Sequence, residues 1–293
     1  MIRRLAARSY FVSKRYALAK MTRREPPIVV FSMGKTGSTA VARAVQDATG
    51  DRVFQIFRLE AERLAEAERR YRDRDRAAKR RGRASGPVPF PGALHLWESE
   101  YLLRHPPTPA APWTVITTVR EPIAQAVSAF FHGRGMRGEA DERFTTEALT
   151  ATIVDEGWIR APLRWFDREF APALGIDVFE HPFDTDRGHA VIETPSVRVL
   201  LLRQENLAAA PMVLGEFLGL RRAVAVPIRN EATTKAYAAS YRDFRDHLQL
   251  SVTVRDEAYK SRYARHFYAD SDLVRLHEQW GDGANAERPQ RGS

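Results

Sequence analysis

The stretch VVFSMGKTGSTAVARAV, Val29 to Val45, constrains the fold more than any other part of the sequence. From Ile28 to Met33 the residues are mostly apolar and β-branched, the pattern of a strand buried on both faces. A loop of small, hydroxyl-bearing residues follows, and then a helical pattern from Gly37 to about Ala48. The same order returns from Trp113 in WTVITTVREPIAQAVSAFF. Further short strands fit Val53 to Phe57, Ala93 to Trp97, Ile176 to Glu180 and Val197 to Leu202, and AAPMVLGEFLGL reads as a helix ended by Gly219. Strands alternating with helices predict an α/β fold, a three-layer sandwich around a mainly parallel sheet.

Punctuation along the chain sets the expected organisation. The paired prolines of RREPP cannot continue a helix, so residues 1–25 read as a separate basic leader and residues 26–281 as one α/β domain. LEAERLAEAERRYRDRDRAAKRR, from Leu59 to Arg81, is rich in helix formers and charge and reads as a solvated helix. GRASGPVPFPG ends it, and HPPTPAAP forms a second proline-rich connection. From Ala232 the tail is mostly helical and aromatic, ending in a polar segment, residues 282–293, expected to be disordered.

Composition removes several classes of function. The 293 residues include no cysteine, which excludes disulfides, thiolate metal sites and cysteine nucleophiles. The eight histidines are scattered, without the short spacing of a zinc site, so no metal is expected. The net charge of +9 comes from two runs, residues 1–25 and 69–83, each carrying about +7, so the remainder is mildly acidic at about −5. A general nucleic-acid groove is therefore not expected, and any anion site must be built from a few placed groups. No apolar run approaches the roughly 18 residues that span a bilayer, and the expectation is a soluble, cytoplasmic protein. Ile2, Leu5, Val12, Tyr16 and Ala19 fall near one helical face among Arg and Lys, which suits peripheral contact with an anionic membrane. The Arg-rich run at 69–83 reads as a solvated helix face, with a docking surface for an anionic glycan as the alternative.

A strand, a tight glycine loop and a helix N-terminus make an anion receptor, because unpaired N–H groups converge there and the helix dipole favours negative charge. Gly34 and Gly37 permit close approach, Lys35 adds a point charge, and Thr36, Ser38 and Thr39 add hydroxyls. Lys35 precedes Gly37, so the order is not that of the nucleoside-triphosphate loop. In VITTVREPIAQAVSAFF, Arg120 stands at a strand end and Ser128 eight residues on, a pair able to hold a second phosphate. Taken singly, an ordinary capped turn and a salt bridge from Arg120 to Glu121 remain open for these two segments.

Together the segments resemble the sulfotransferase superfamily, the first its 5'-phosphosulfate loop and the second its 3'-phosphate strand and helix. MGKTGST, VREPIAQAVSAFF, YRDF and RHFYA look most like the bacterial capsular polysaccharide synthesis proteins within it. VRVLLLRQENLAAAPMVLGEFLGL resembles a further superfamily strand and helix, with Gln204 where an aromatic residue is common. The resemblance implies a P-loop-like sulfotransferase fold and 3'-phosphoadenosine 5'-phosphosulfate as co-substrate. It implies that Lys35, Thr36, Gly37, Ser38 and Thr39 hold the 5'-phosphosulfate, that Arg120 and Ser128 hold the 3'-phosphate, and that the acceptor is a carbohydrate or lipid-linked glycan hydroxyl. His95, at a predicted strand end, is the first choice for the base that takes the acceptor proton, Glu60 the second and Glu98 a third. A kinase of similar fold and a non-catalytic nucleotide-binding protein of polysaccharide assembly are the alternative functions.

Overall fold

Pro26 and Pro27 lead into β1 (Ile28–Phe31), and the chain continues through α1 (Ser38–Thr49), β2 (Val53–Ile56), α2 (Ala61–Arg80), α3 (Leu94–Arg104) and β3 (Trp113–Val119). The structure is a computed structural model, and it describes residues 26–80, 94–137, 144–227 and 238–281. After β3 come α4 (Pro122–Arg137), α5 (Thr146–Asp155), the short α6 (Arg160–Leu163), a π-turn (Phe166–Phe170) and α7 (Ala171–Leu174). A hairpin of β4 (His189–Glu193) and β5 (Val197–Arg203) completes the sheet. Then follow α8 (Pro211–Phe217), α9 (Ala238–His247), α10 (Val252–Tyr259), α11 (Arg262–Phe267) and α12 (Asp270–Gln279).

The sheet has five strands in the order β2-β1-β3-β5-β4, all parallel except β4. Strand side chains alternate between faces, so Val29 and Phe31 point into one core and Val30 into another. On the first face Val115, Val199 and Leu201 join Ile123, Val127 and Phe130 of α4 and the buried aromatics Phe244, Tyr263, Phe267 and Trp280. On the second, Ile116, Leu200 and Leu202 pack with Val41 and Val45 of α1 and Leu214 and Phe217 of α8. Helices thus cover both faces of a mostly parallel sheet, the α/β architecture expected from the sequence.

Two expected strands are not strands. Of the expected strand Ala93 to Trp97, Ala93 lies outside the described residues and Leu94 to Trp97 begin α3, because the apolar residues belong to a longer run, LHLWESEYLLR, whose Leu96, Ser99 and Leu102 share one buried helical face. Within Ile176 to Glu180 the chain forms a single 3₁₀ turn, Val178–Glu180, because the Asp177 carboxylate accepts the N–H of Phe179 at 3.0 Å and competes with any ladder. β4 was not expected at all. It pairs antiparallel with β5 across a turn in which Thr194 and Val197 exchange hydrogen bonds.

α2 fits the solvated helix expected from its composition. Its exposed face carries ion pairs between Arg70 and Glu66 and between Arg72 and Glu68, while Leu64 and Ala67 pack on Leu96. The basic leader, the proline-rich segment after Arg80 and the C-terminal polar segment lie outside the described residues. No helix among the described residues is long and apolar enough to cross a membrane.

Phe31 joins the sheet to the middle of the chain. It is fully buried, stacks on Phe170 at 5.4 Å and meets Trp165 edge-on at 5.1 Å. Phe31→Ala should therefore lower stability by about 3–5 kcal/mol, read as a fall in the urea midpoint at unchanged slope.

Candidate functional site

Four strand ends open on one side of the sheet. β1 leads into the Gly34–Gly37 loop, β2 into Phe57–Glu60, β3 into Arg120 and β5 into Gln204, and these four strands are parallel. Strand order reverses between β1 and β3, because β2 lies on one side of β1 and β3 on the other. Ligands of open α/β sheets bind outside the carboxyl ends of the strands at such a point. The two connections that flank it here are the glycine loop and Arg120.

The loop is held in a conformation suited to an anion. Lys35 and Gly37 have φ of 71° and 83°, and left-handed residues on either side of Thr36 curl the backbone so that N–H groups can turn toward a common concavity. Gly37 is also the N-cap of α1, and no side chain caps that helix. Its first N–H groups therefore keep the capacity to bind a ligand anion. Lys35 is the only non-glycine with positive φ among the described residues, a conformation costing on the order of 1–2 kcal/mol.

Neighbouring side chains offset that strain. Arg120 Nη1 donates to the carbonyl of Lys35 at 3.0 Å and Gln125 Nε2 to that of Gly34 at 2.8 Å. The Thr36 hydroxyl lies 2.9 Å from the carbonyl of Met33 and 2.7 Å from Thr118 Oγ1, fully buried. That hydroxyl braces the loop from beneath, leaving only the Thr36 backbone N–H for an anion. Ser38 and Thr39 accept from Gln55 Nε2 at 3.4 and 2.8 Å, so their own O–H groups stay available as donors.

Arg120 is fixed through its main chain. The Tyr263 hydroxyl donates to the Arg120 carbonyl at 2.8 Å and accepts its N–H at 3.1 Å. Burial pushes the Tyr263 pKa far up, so the hydroxyl stays protonated and can play both parts. Glu121 forms no salt bridge with Arg120. Its carboxylate accepts the N–H groups of Ile123 and Ala124 at 2.8 and 2.6 Å, capping α4, and the hydroxyl of Tyr259 at 2.7 Å. Burial raises the pKa of Glu121 despite these donors. Ser128 is buried on α4, about 9 Å along the axis from Pro122 at 1.5 Å per residue.

The three base candidates sit around the end of β2. His95 lies in the first turn of α3 instead of at a strand end, its ring 5.0 Å from that of Phe57 and 5.8 Å from that of Tyr71. Glu60 accepts the N–H groups of Glu62 and Arg63 at 3.0 and 2.8 Å and so caps α2. Glu98 is buried, accepts the N–H of Gln55 at 3.0 Å and pairs with Arg52 at 3.2 Å, which places it behind the side chain that holds Ser38 and Thr39.

Several participants carry no signal in the sequence. Gln55, Thr118, Gln125 and Tyr263 act only through the fold that brings them together. Glu169, on the π-turn, is 3% exposed and takes Arg63 Nε at 2.6 Å and Arg58 Nε at 3.7 Å on one oxygen. Its other oxygen has no hydrogen bond among the described residues, and burial raises its pKa against the pull of Arg63. Gln204 lies over the loop. A Cβ at Gly37 would stand 3.1 Å from Leu207 Cδ1 and 3.4 Å from Gln204 Cγ, and Gln204 Oε1 is buried without a partner among the described residues.

Fold and site define an α/β protein with a tightly curled glycine loop at the switch point of a mostly parallel sheet. A family model described as "Putative capsular polysaccharide synthesis protein" matches residues 143–269. The similarity covers the π-turn, β4, β5 and the helices that carry Tyr259 and Tyr263, and it stops short of the glycine loop and Arg120. Neither the curated proteins nor the solved structures gave a match.

Gly37 has both positive φ and close neighbours, whereas a Cβ at Gly34 meets open space. Gly37→Ala should cost about 1–2 kcal/mol from the left-handed backbone alone, and Gly34→Ala clearly less, in paired urea unfolding curves.

Proposed function

We propose that the protein is a sulfotransferase that moves a sulfuryl group from 3'-phosphoadenosine 5'-phosphosulfate to a hydroxyl of a carbohydrate or lipid-linked glycan. One observation carries the reading: the Arg120 guanidinium is bonded to the carbonyl of Lys35, so two anion receptors from separate strands stand side by side. A nucleotide phosphorylated at both its 3' and 5' positions requires such a pair. The uncapped N-terminus of α1 and the orphaned Gln204 oxygen beside Gly37 fit a polar ligand across the loop. The similarity of residues 143–269 to the capsular polysaccharide model supports a carbohydrate acceptor.

The co-substrate supplies an activated sulfuryl group joined to a phosphate leaving group. In this reading Lys35, the loop N–H groups and the hydroxyls of Ser38 and Thr39 stabilise the negative charge that grows on the leaving phosphate. Arg120 and Ser128 hold the 3'-phosphate, and Gln125 and Thr36 keep the loop in its strained conformation. His95, beside Phe57 at the end of β2, takes the acceptor proton.

Donor selectivity tests the reading first. By calorimetry the wild type should bind 3',5'-adenosine bisphosphate more tightly than Mg-ATP. Arg120→Ala should weaken the bisphosphate by roughly tenfold to a hundredfold, as a charge-assisted bond of about 1.5–3 kcal/mol implies. Arg120 also steadies the loop, so Ser128→Ala is the cleaner probe: it should weaken the bisphosphate and leave adenosine 5'-monophosphate unchanged. Tight Mg-ATP binding with weak bisphosphate binding would favour a kinase and overturn the assignment.

Turnover tests the roles. Lys35→Ala should lose far more rate than donor-product affinity, because its charge matches the transition state. His95→Ala should slow transfer about a hundredfold with affinity unchanged. Collapse only in Glu60→Gln would move the base to that carboxylate.

A further inference from the structure

A second concentration of cationic side chains lies away from the loop. A cavity of about 440 Å³ is lined by Phe179, Lys260, Arg262, Arg265 and His266. Arg262, Arg265 and His266 occupy positions i, i+3 and i+4 of α11 and therefore share one face. Tyr263 and Phe267 point the other way into the core, and Tyr263 holds Arg120. The cavity thus opens from the same helix that fixes the donor site.

Its charges are unevenly matched. Lys260 pairs with Asp256 at 2.9 Å and Arg262 with Asp177 at 2.7 Å. Arg265 is exposed and makes no ion pair among the described residues. His266 is half-buried against Phe179, Phe183 and Phe267, and burial, then Arg262 and His181, hold its pKa below the ordinary 6.5 while Asp177 opposes them. Three cationic side chains thus stand against two carboxylates, with the His266 imidazole lining the same hollow.

We propose that this cavity binds the carboxylate or phosphate group of an acidic saccharide. The hollow is broadly open to solvent, and its volume of about 440 Å³ leaves room for a sugar ring. Arg265 supplies a planar donor for an anion with no ion pair among the described residues, and Lys260 and Arg262 supply further donors for hydroxyls. The Phe179 ring is already engaged by Arg262 at 4.4 Å and by His266, Phe166 and Phe267, which argues against a stacked nucleobase. All five lining residues fall within the segment similar to the capsular polysaccharide model. That this saccharide is the sulfuryl acceptor rests on the function proposed above, whereas its binding needs no donor.

The test titrates the full chain with glucuronate, glucose 6-phosphate, glucose and inorganic phosphate while following the His266 imidazole by NMR. At least one acidic sugar should shift the His266 signals and raise its apparent pKa, glucose and inorganic phosphate should do so at least tenfold more weakly, and the tighter acidic sugar identifies the anion. A bound anion favours the imidazolium, so affinity should rise as pH falls through the range in which His266, its pKa lowered by burial, takes up its proton. Arg265→Glu, on an exposed position, should abolish the shift and leave 3',5'-adenosine bisphosphate binding intact. Three outcomes would each overturn the assignment: no shift with either acidic sugar, an equal shift with glucose or inorganic phosphate, or wild-type affinity in Arg265→Glu. Because the bisphosphate is measured separately, failure here and failure of the donor site are distinguishable.

Discussion

The hydrogen bond from Arg120 to the carbonyl of Lys35 is the constraint on which the site depends. Lys35 sits in a left-handed conformation that its side chain disfavours, and such conformations persist only where the surroundings over-determine them. Here the surroundings are Arg120 on Lys35, Gln125 on Gly34 and the Thr36–Thr118 pair beneath. Each of those partners belongs to β3, to α4 or to the connection between them, β3 being the strand next to β1. The loop shape is consequently a property of the β1–β3 pairing and not of the loop sequence alone.

Arg120 is in turn anchored from the far end of the chain. Tyr263 holds its main chain, Tyr259 reaches Glu121, and the Glu205 carboxylate accepts the N–H of Glu121 at 2.9 Å while Tyr268 donates to it at 3.3 Å. Each of these groups is a polar atom in a mostly buried layer, where an unpaired partner would be costly. The layer couples the segment similar to the capsular polysaccharide model with the part of the chain that bears the glycine loop. It also gives α10 and α11 a role in the site that their distance in sequence from Arg120 conceals.

What was legible in the sequence follows from the range of the forces involved. The β1–loop–α1 and β3–α4 units could be read because continuous apolar runs and glycine punctuation are local. Ala93 to Trp97 could not, since a short apolar run is the same for a strand and a buried helix face, and α3 is decided by Leu102 packing against the core several residues later. Lys35, Ser38, Thr39 and Arg120 were named from local pattern, and the fold brings them to one end of the sheet. The inward turn of the Thr36 hydroxyl was hidden, because it depends on Thr118, 82 residues away. Glu169 was hidden more deeply: in WFDREF it is one charged residue among three, and only the π-turn carries it into the core.

The charge distribution shows why these sites are local constructions. With the chain's excess positive charge concentrated in residues 1–25 and 69–83, the remainder is mildly acidic, and no broad field draws an anion to the sheet. In the function proposed, the glycine loop meets this with backbone N–H groups and few cations, which act at contact distance and are little screened where partly buried. The hollow beside α11 differs in that Arg265 has no acidic partner among the described residues while Lys260 and Arg262 are paired. Paired cations keep their positions and give up much of their field, which leaves Arg265 the least compensated of the three among the described residues. Selectivity at the two proposed sites would then rest on geometry more than on net charge: the Arg120 guanidinium held against the Lys35 carbonyl, and Arg265 on the same short helix as the half-buried His266.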